Sequence, residues 1–126
     1  MHWAENWVGL PVAPVGRGPD AYDCLGLFLA LQRARLGREI PDPRCTMDEA
    51  AACRSADKLR PLASRIARDR VLEGDALLFF VDGRALHVGY ALDANDMIHA
   101  HRDASKIERW TGRRWINRLE GIYRFA

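Results

Sequence analysis

Lysine is almost absent from this chain. Only Lys58 and Lys106 occur, the remaining basic residues are arginines spread along the sequence, and Arg113-Arg114 is the one adjacent pair. With a net charge of +2 there is no basic stripe, so no nucleic-acid partner is expected. Cysteine is scarce too. Cys24, Cys45 and Cys53 are odd in number and contain no C-x-x-C pair, which argues against a disulfide framework and a cysteine-rich zinc site, and for a reducing compartment during synthesis. No stretch approaches the roughly 20 apolar residues of a membrane span. Residues 1–7 lack the basic start and apolar run of a secretory signal, so action outside a cell would need another carrier. Repeats, low-complexity tracts and linkers are missing as well.

What remains is an ordinary globular composition, 48% hydrophobic and 29% charged over 126 residues. That length suits one domain, expected to span 1–126 and to bury about two thirds of its unfolded surface.

The chain changes character near its middle. Trp3 to Leu10 reads as a short amphipathic helix, with Trp3 and Trp7 on one face. Pro11, Pro14, Gly16, Gly18 and Pro19 force a loop, and Asp20 is a plausible N-cap. From Cys24 to about Leu36 the apolar residues are nearly continuous, which predicts a mostly buried helix with Gln32, Arg33 and Arg35 at its wet end and Gly37 as its stop. Thr46-Met47-Asp48-Glu49 is a capping box for a short helix to about Arg54, and another helix is expected within Ala56 to Arg68, interrupted at Pro61. After Arg70 the period becomes that of strands: Ala76 to Val81, Leu86 to Leu92, Met97 to His101, Ile107 to Trp110 and Gly121 to Phe125. Helices followed by an antiparallel sheet make the fold class α+β.

Two features carry chemistry. Cys24 stands where the loop becomes a helix, and the partial positive charge of a helix N-terminus favours a thiolate there; the bland alternative is a small buried core residue. On the Leu86 to Leu92 strand, His87 shares a face with Gly89 and Ala91, leaving room that a cleft could use. His99 lies in the next strand. A five-residue connection, Leu92 to Asp96, would set it opposite Gly89 and diagonal to His87; an even-numbered one would put it on the other face. A nucleophile, a base and a group that orients the base suffice for acyl transfer. Cys24, His87 and His99 fit those roles, and an imidazole as third member gives orientation with little charge stabilisation. The competing use is metal binding, since His99 and His101 share a strand face and His87 could add a third imidazole. No metal or other cofactor is expected, because no carboxylate base is evident beside them. His2 reads as an exposed terminal residue.

The residues Trp7-Val8-Gly9-Leu10-Pro11, Tyr22-Asp23-Cys24-Leu25-Gly26-Leu27, Glu73-Gly74-Asp75-Ala76-Leu77-Leu78-Phe79-Phe80, His87-Val88-Gly89-Tyr90, Met97-Ile98-His99-Ala100 and Gly121-Ile122-Tyr123-Arg124-Phe125 follow one another in an order and spacing that resembles the NlpC/P60 family of papain-like cysteine peptidases. The resemblance covers nearly the whole chain. It implies N-terminal helices packed on a C-terminal antiparallel sheet, and hydrolysis of amide bonds in peptidoglycan stem peptides, commonly the D-Glu to diamino-acid link. It makes Cys24 the nucleophile, His87 the base and His99 the third polar residue. Asp23 becomes the acidic residue that meets the free amine of the stem peptide, with Tyr22 beside it in the substrate site, and backbone N–H groups near Cys24 receive the oxyanion.

Two positions depart from the family's habit: Val12 stands where many members carry tyrosine, and Leu25 where many carry serine. They motivate a second reading, a structural or assembly protein of a tail with little or no turnover; an acyltransferase on the same fold is a third. The bulky residue after the cysteine and the missing signal look most like the phage-tail branch. That resemblance implies a protein made in the host cytoplasm, carried in the tail of a phage or phage-like particle beside other tail-tip proteins.

Overall fold

The computed structural model describes residues 2–45, 55–81 and 85–126. A 3-10 helix, Trp3–Trp7, opens the chain, shorter than the helix expected to Leu10, and His2 caps it by accepting a hydrogen bond from the Ala4 N–H at Nδ1. A loop then leads to α1, Cys24–Leu36. Its N-cap is Asp23 and not Asp20: the carboxylate accepts from the Gly26 N–H at 2.6 Å. Gly37, at φ 65°, ends the helix in the left-handed conformation that glycine adopts without steric cost. Gln32 is not at a wet end. It is fully buried and donates from Nε2 to the Gly74 carbonyl at 2.7 Å.

The capping-box helix expected after Thr46 lies outside the described residues. Within 56–68 a single interrupted helix is not what forms. A short α2, Ser55–Leu59, runs into a 3-10 turn at Arg60–Leu62 with Pro61 in its first positions, and the chain then extends into β1, Ala63–Arg65, which pairs with the last strand. Three residues are too few for strand periodicity to announce themselves. Cys45 is disulfide-bonded, contrary to the expectation drawn from the odd cysteine count.

The other strands fall near the expected places, with β5 starting three and β6 two residues earlier: β2 Ala76–Val81, β3 Ala85–Ala91, β4 Asp96–His101, β5 Ala104–Arg109 and β6 Leu119–Phe125, with a single-turn α3, Arg113–Ile116, before β6. The six-stranded antiparallel sheet has the order β1-β6-β2-β3-β4-β5. It begins at the turn where Asp75, 1% exposed, accepts the Leu72 N–H and two hydrogen bonds from Arg124 of β6, both 2.8 Å. A buried carboxylate is tolerated because its lone pairs are filled.

Each sheet face carries its own apolar cluster. Leu25, Phe28 and Leu29 of α1 pack with Leu78, Val88, Tyr90, Ile98 and Ala100. On the other face Leu77, Phe79, Met97, Trp110 and Ile122 surround Trp115 of α3. Among the described residues no helix is long and apolar enough to cross a membrane.

Candidate active site

Cys24, a thiol, is the first residue of α1 and is half-buried beside the α1 cluster. The loop before it is held tightly. Ala13 N–H bonds the Tyr22 carbonyl, Tyr22 N–H the Pro11 carbonyl and Asp23 N–H the Gly16 carbonyl. A Cβ on Gly26 would collide with the Gly16 carbonyl oxygen, so the glycine two places after the cysteine is what lets the first helical turn sit on the loop. Tyr22 is buried, with its ring against Gly18 and 6.3 Å from that of Trp7.

Asp23 is 7% exposed and pairs with Arg17 at 2.7 Å. Burial nevertheless raises its carboxyl above the usual carboxylate range, against the pull of Gly26 and Arg17. Its second oxygen, Oδ2, is buried and has no hydrogen-bond partner among the described residues. The thiol next to it stands at the N-terminal end of α1, beside the Asp23–Arg17 pair.

The histidines come together as the hairpin geometry required. Ala91 pairs with Met97 and Tyr90 with Ile98, so the connection is the odd-numbered one, and a Cβ on Gly89 would lie 3.7 Å from that of His99. His87 Nε2 is 2.7 Å from His99 Nδ1, and His99 Nε2 is 2.7 Å from Glu108 Oε2. Those two distances determine the tautomers. A carboxylate only accepts, so His99 carries its proton on Nε2; its Nδ1 therefore accepts, and His87 must donate from Nε2. The lone pair of His87 is left on Nδ1, which makes no hydrogen bond among the described residues.

Burial keeps these rings neutral. It drives His87 well below the ordinary histidine range and His99 down to about 3, with neighbouring positive charge adding to the shift. The His99 contact with Glu108 is accordingly a neutral N–H on a carboxylate. His87 keeps a lone pair on Nδ1, and the same burial makes it a weak base. The far end of the chain is Arg114, whose Nη1 donates to Glu108 Oε1 at 3.2 Å.

Two sequence expectations are corrected by these contacts. The third member does have a carboxylate behind it, Glu108. It was hidden because the β4–β5 turn, Arg102-Asp103, is not a recognisable hairpin dipeptide; with the observed register His101↔Ala104, Glu108 falls on the histidine face. The face is also not an empty cleft. A Cβ on Gly89 would meet Met97 Sδ at 2.6 Å, Ala91 and Met97 are fully buried, and Trp115 stacks on His87 at 5.4 Å between ring centres. His87 is 7% and His99 1% exposed. His101 lies half-buried at the end of β4, 5.2 Å from His87 between ring centres.

Residues 13–124 match the model of the NlpC/P60 family. The chain belongs to this family. Its members are commonly peptidoglycan hydrolases. Among solved structures the chain is similar to an NLP/P60-family lipoprotein-like protein of Staphylococcus aureus, with 23% identity, a TM-score of 0.73 and 98% of this chain aligned to 39% of that one. The NlpC/p60 domain of the peptidoglycan hydrolase SagA aligns at 20% identity and TM-score 0.68 over 98% of this chain and 92% of that one. NlpC1 of Trichomonas vaginalis gives 22% identity and TM-score 0.70 over 97% and 41%. The chain thus spans well under half of the first and third of these relatives, and at such identities the likeness is one of fold. No curated protein matches.

Proposed function

We propose that this NlpC/P60 domain is a cysteine peptidase cleaving amide bonds of peptidoglycan stem peptides, at the link between D-Glu and a diamino acid. Cys24 gives its proton to His87 Nδ1 and attacks the carbonyl carbon; backbone N–H groups at the start of α1 receive the oxyanion. The protonated His87 then returns its proton to the leaving amine, and water, deprotonated by His87 in turn, releases the acyl group from the sulfur. His99 holds the His87 tautomer, and Glu108 holds that of His99. Asp23, whose Oδ2 has an unfilled acceptor site, meets the ammonium group of the diamino acid, with Tyr22 shaping the same subsite.

The observation that carries this reading is the Glu108–His99–His87 hydrogen-bond chain, because it leaves the one basic nitrogen of His87 without a competing partner among the described residues. The test is cleavage of purified stem peptides by the wild type and by Cys24→Ala. Turnover should fall at least about 1,000-fold in the variant, with an unchanged melting temperature; undiminished cleavage would remove Cys24 from the mechanism.

The site of action proposed is the tail tip of a phage or phage-like particle, in company with other tail-tip proteins, supported by the bulky, buried Leu25 after the nucleophile. Mass spectrometry of purified particles should find the chain in the tail fraction. The near-complete burial of His87 and His99 favours one alternative, an assembly component that keeps the fold without turnover. Failure of the wild type to cleave any stem peptide would select it.

A further inference from the structure

Three imidazoles converge here, one more than the proposed reaction uses. One ring nitrogen from each of His87, His99 and His101 lies within 4.8 Å of the others, and the three ring centres lie 5.4, 5.0 and 5.1 Å from that of Trp115. We infer that His87, His99 and His101 form a reversible site for a divalent transition-metal ion such as zinc(II), and that filling it takes His87 out of the proton chain. The second half rests on the reading of His87 as base; the first does not.

The chemistry of the donor set selects the ion. Three neutral imidazoles without a carboxylate in direct reach suit zinc, copper or nickel and disfavour magnesium and calcium. A tetrahedral zinc ion with Zn–N bonds of about 2.0 to 2.1 Å holds its nitrogens about 3.3 Å apart. His87 Nε2 and His99 Nδ1, now 2.7 Å apart, need to part by only roughly half an ångström. His101, half-buried at the end of β4 with its ring centre 5.2 Å from that of His87 and 5.5 Å from that of His99, is the third donor. His99 already offers the lone pair of Nδ1, and Glu108 on its Nε2 is the outer carboxylate that commonly orients a metal-bound histidine.

His87 differs in one respect, since its proton sits on Nε2. Metal binding there moves that proton to Nδ1, with no net release. Nδ1 then donates and cannot take a proton from a thiol. The fourth coordination position stays with water.

Zinc(II) alone, titrated into tag-free full-length Cys24→Ala protein with a chromophoric chelator in competition, tests the site without the thiol as a possible ligand. One ion per chain is expected, with affinity at least about tenfold weaker in His101→Ala and about 10- to 100-fold weaker in Glu108→Ala. Unchanged affinity in His101→Ala, or no binding below millimolar zinc, overturns the site. Nitrogen NMR of the unsubstituted histidines guards against misfolding of a variant: zinc must shift the ring signals of all three, and a spectrum in which any of them stays put overturns the ligand set. Because no substrate is present, these results stand whether or not peptide cleavage is found. In wild type that does cleave, bound zinc without loss of turnover refutes the inhibitory half.

Discussion

The two faces of β3 and β4 are made from alternate residues of the same strands, yet they differ in kind. Val88, Tyr90, Ile98 and Ala100 face α1 and are apolar but for the Tyr90 hydroxyl, which donates to Glu73 at 2.7 Å. His87, His99 and His101 face α3, where Trp115 forms a wall and Glu108 and Arg114 close the polar network. On one side burial of apolar area holds the helix to the sheet. On the other the same burial suppresses the charge of the imidazoles. The contrast teaches that a strand can hold the helix of Cys24 with its even residues and set the charge of buried imidazoles with its odd ones.

The comparison breaks most visibly on the α1 side. Phe28 is 2% exposed and meets Tyr90 and Phe125 at 6.1 and 6.0 Å between ring centres. Phe28→Ala should cost about 3 to 5 kcal/mol in chemical denaturation, and a loss under 1 kcal/mol would show that this face does not carry the stability ascribed to it. On the other face the loss should be in rate. Glu108→Ala removes the acceptor that orients His99, so kcat should fall by about 10- to 100-fold, with KM and melting temperature little changed. Equal losses of stability and rate would make Glu108 a structural residue only.

The smallest effect sharpens the contrast through pH. Burial alone would raise the Glu73 carboxyl, but hydrogen bonds from Arg35 and Tyr90 outweigh it and leave the group below the usual carboxylate range. A depressed folded value means stabilisation that is complete above the unfolded value and disappears as pH falls through the folded one. Glu73→Gln should therefore melt lower than wild type at neutral pH, by about 1 kcal/mol, and the gap should close in acid. A gap independent of pH would assign the effect to packing.

Much of this arrangement was legible beforehand, for reasons that can be named. The strand β2 announces itself as an unbroken apolar run between turn residues and β3 and β4 by alternation, while the sequence leaves open an odd or an even connection; the observed five residues 92–96 bring His99 to His87. Asp20 and Asp23 both lie close enough to the helix start to cap it, and only the backbone path of the loop decides for Asp23. The filling of the Gly89 face depends on where the flexible Met97 side chain turns, which no spacing rule contains. Trp115 sits in a single-turn helix too short for any period to show, and the carboxylate behind His99 depends on the register of a turn without a signature.

The segment before residue 13, outside the span matched by the family model, lies along β5. Gly9 N–H bonds the Ser105 carbonyl, Ser105 N–H the Leu10 carbonyl and Val12 N–H the Asp103 carbonyl, while Ser105 Oγ joins the Trp7 carbonyl to the Leu10 N–H. An outermost strand with bare N–H and C=O groups invites a second chain to add itself. The opening residues thus act as a selvedge: they finish the border of the sheet nearest the histidines, and a version trimmed to the matched span would leave that border available for self-association.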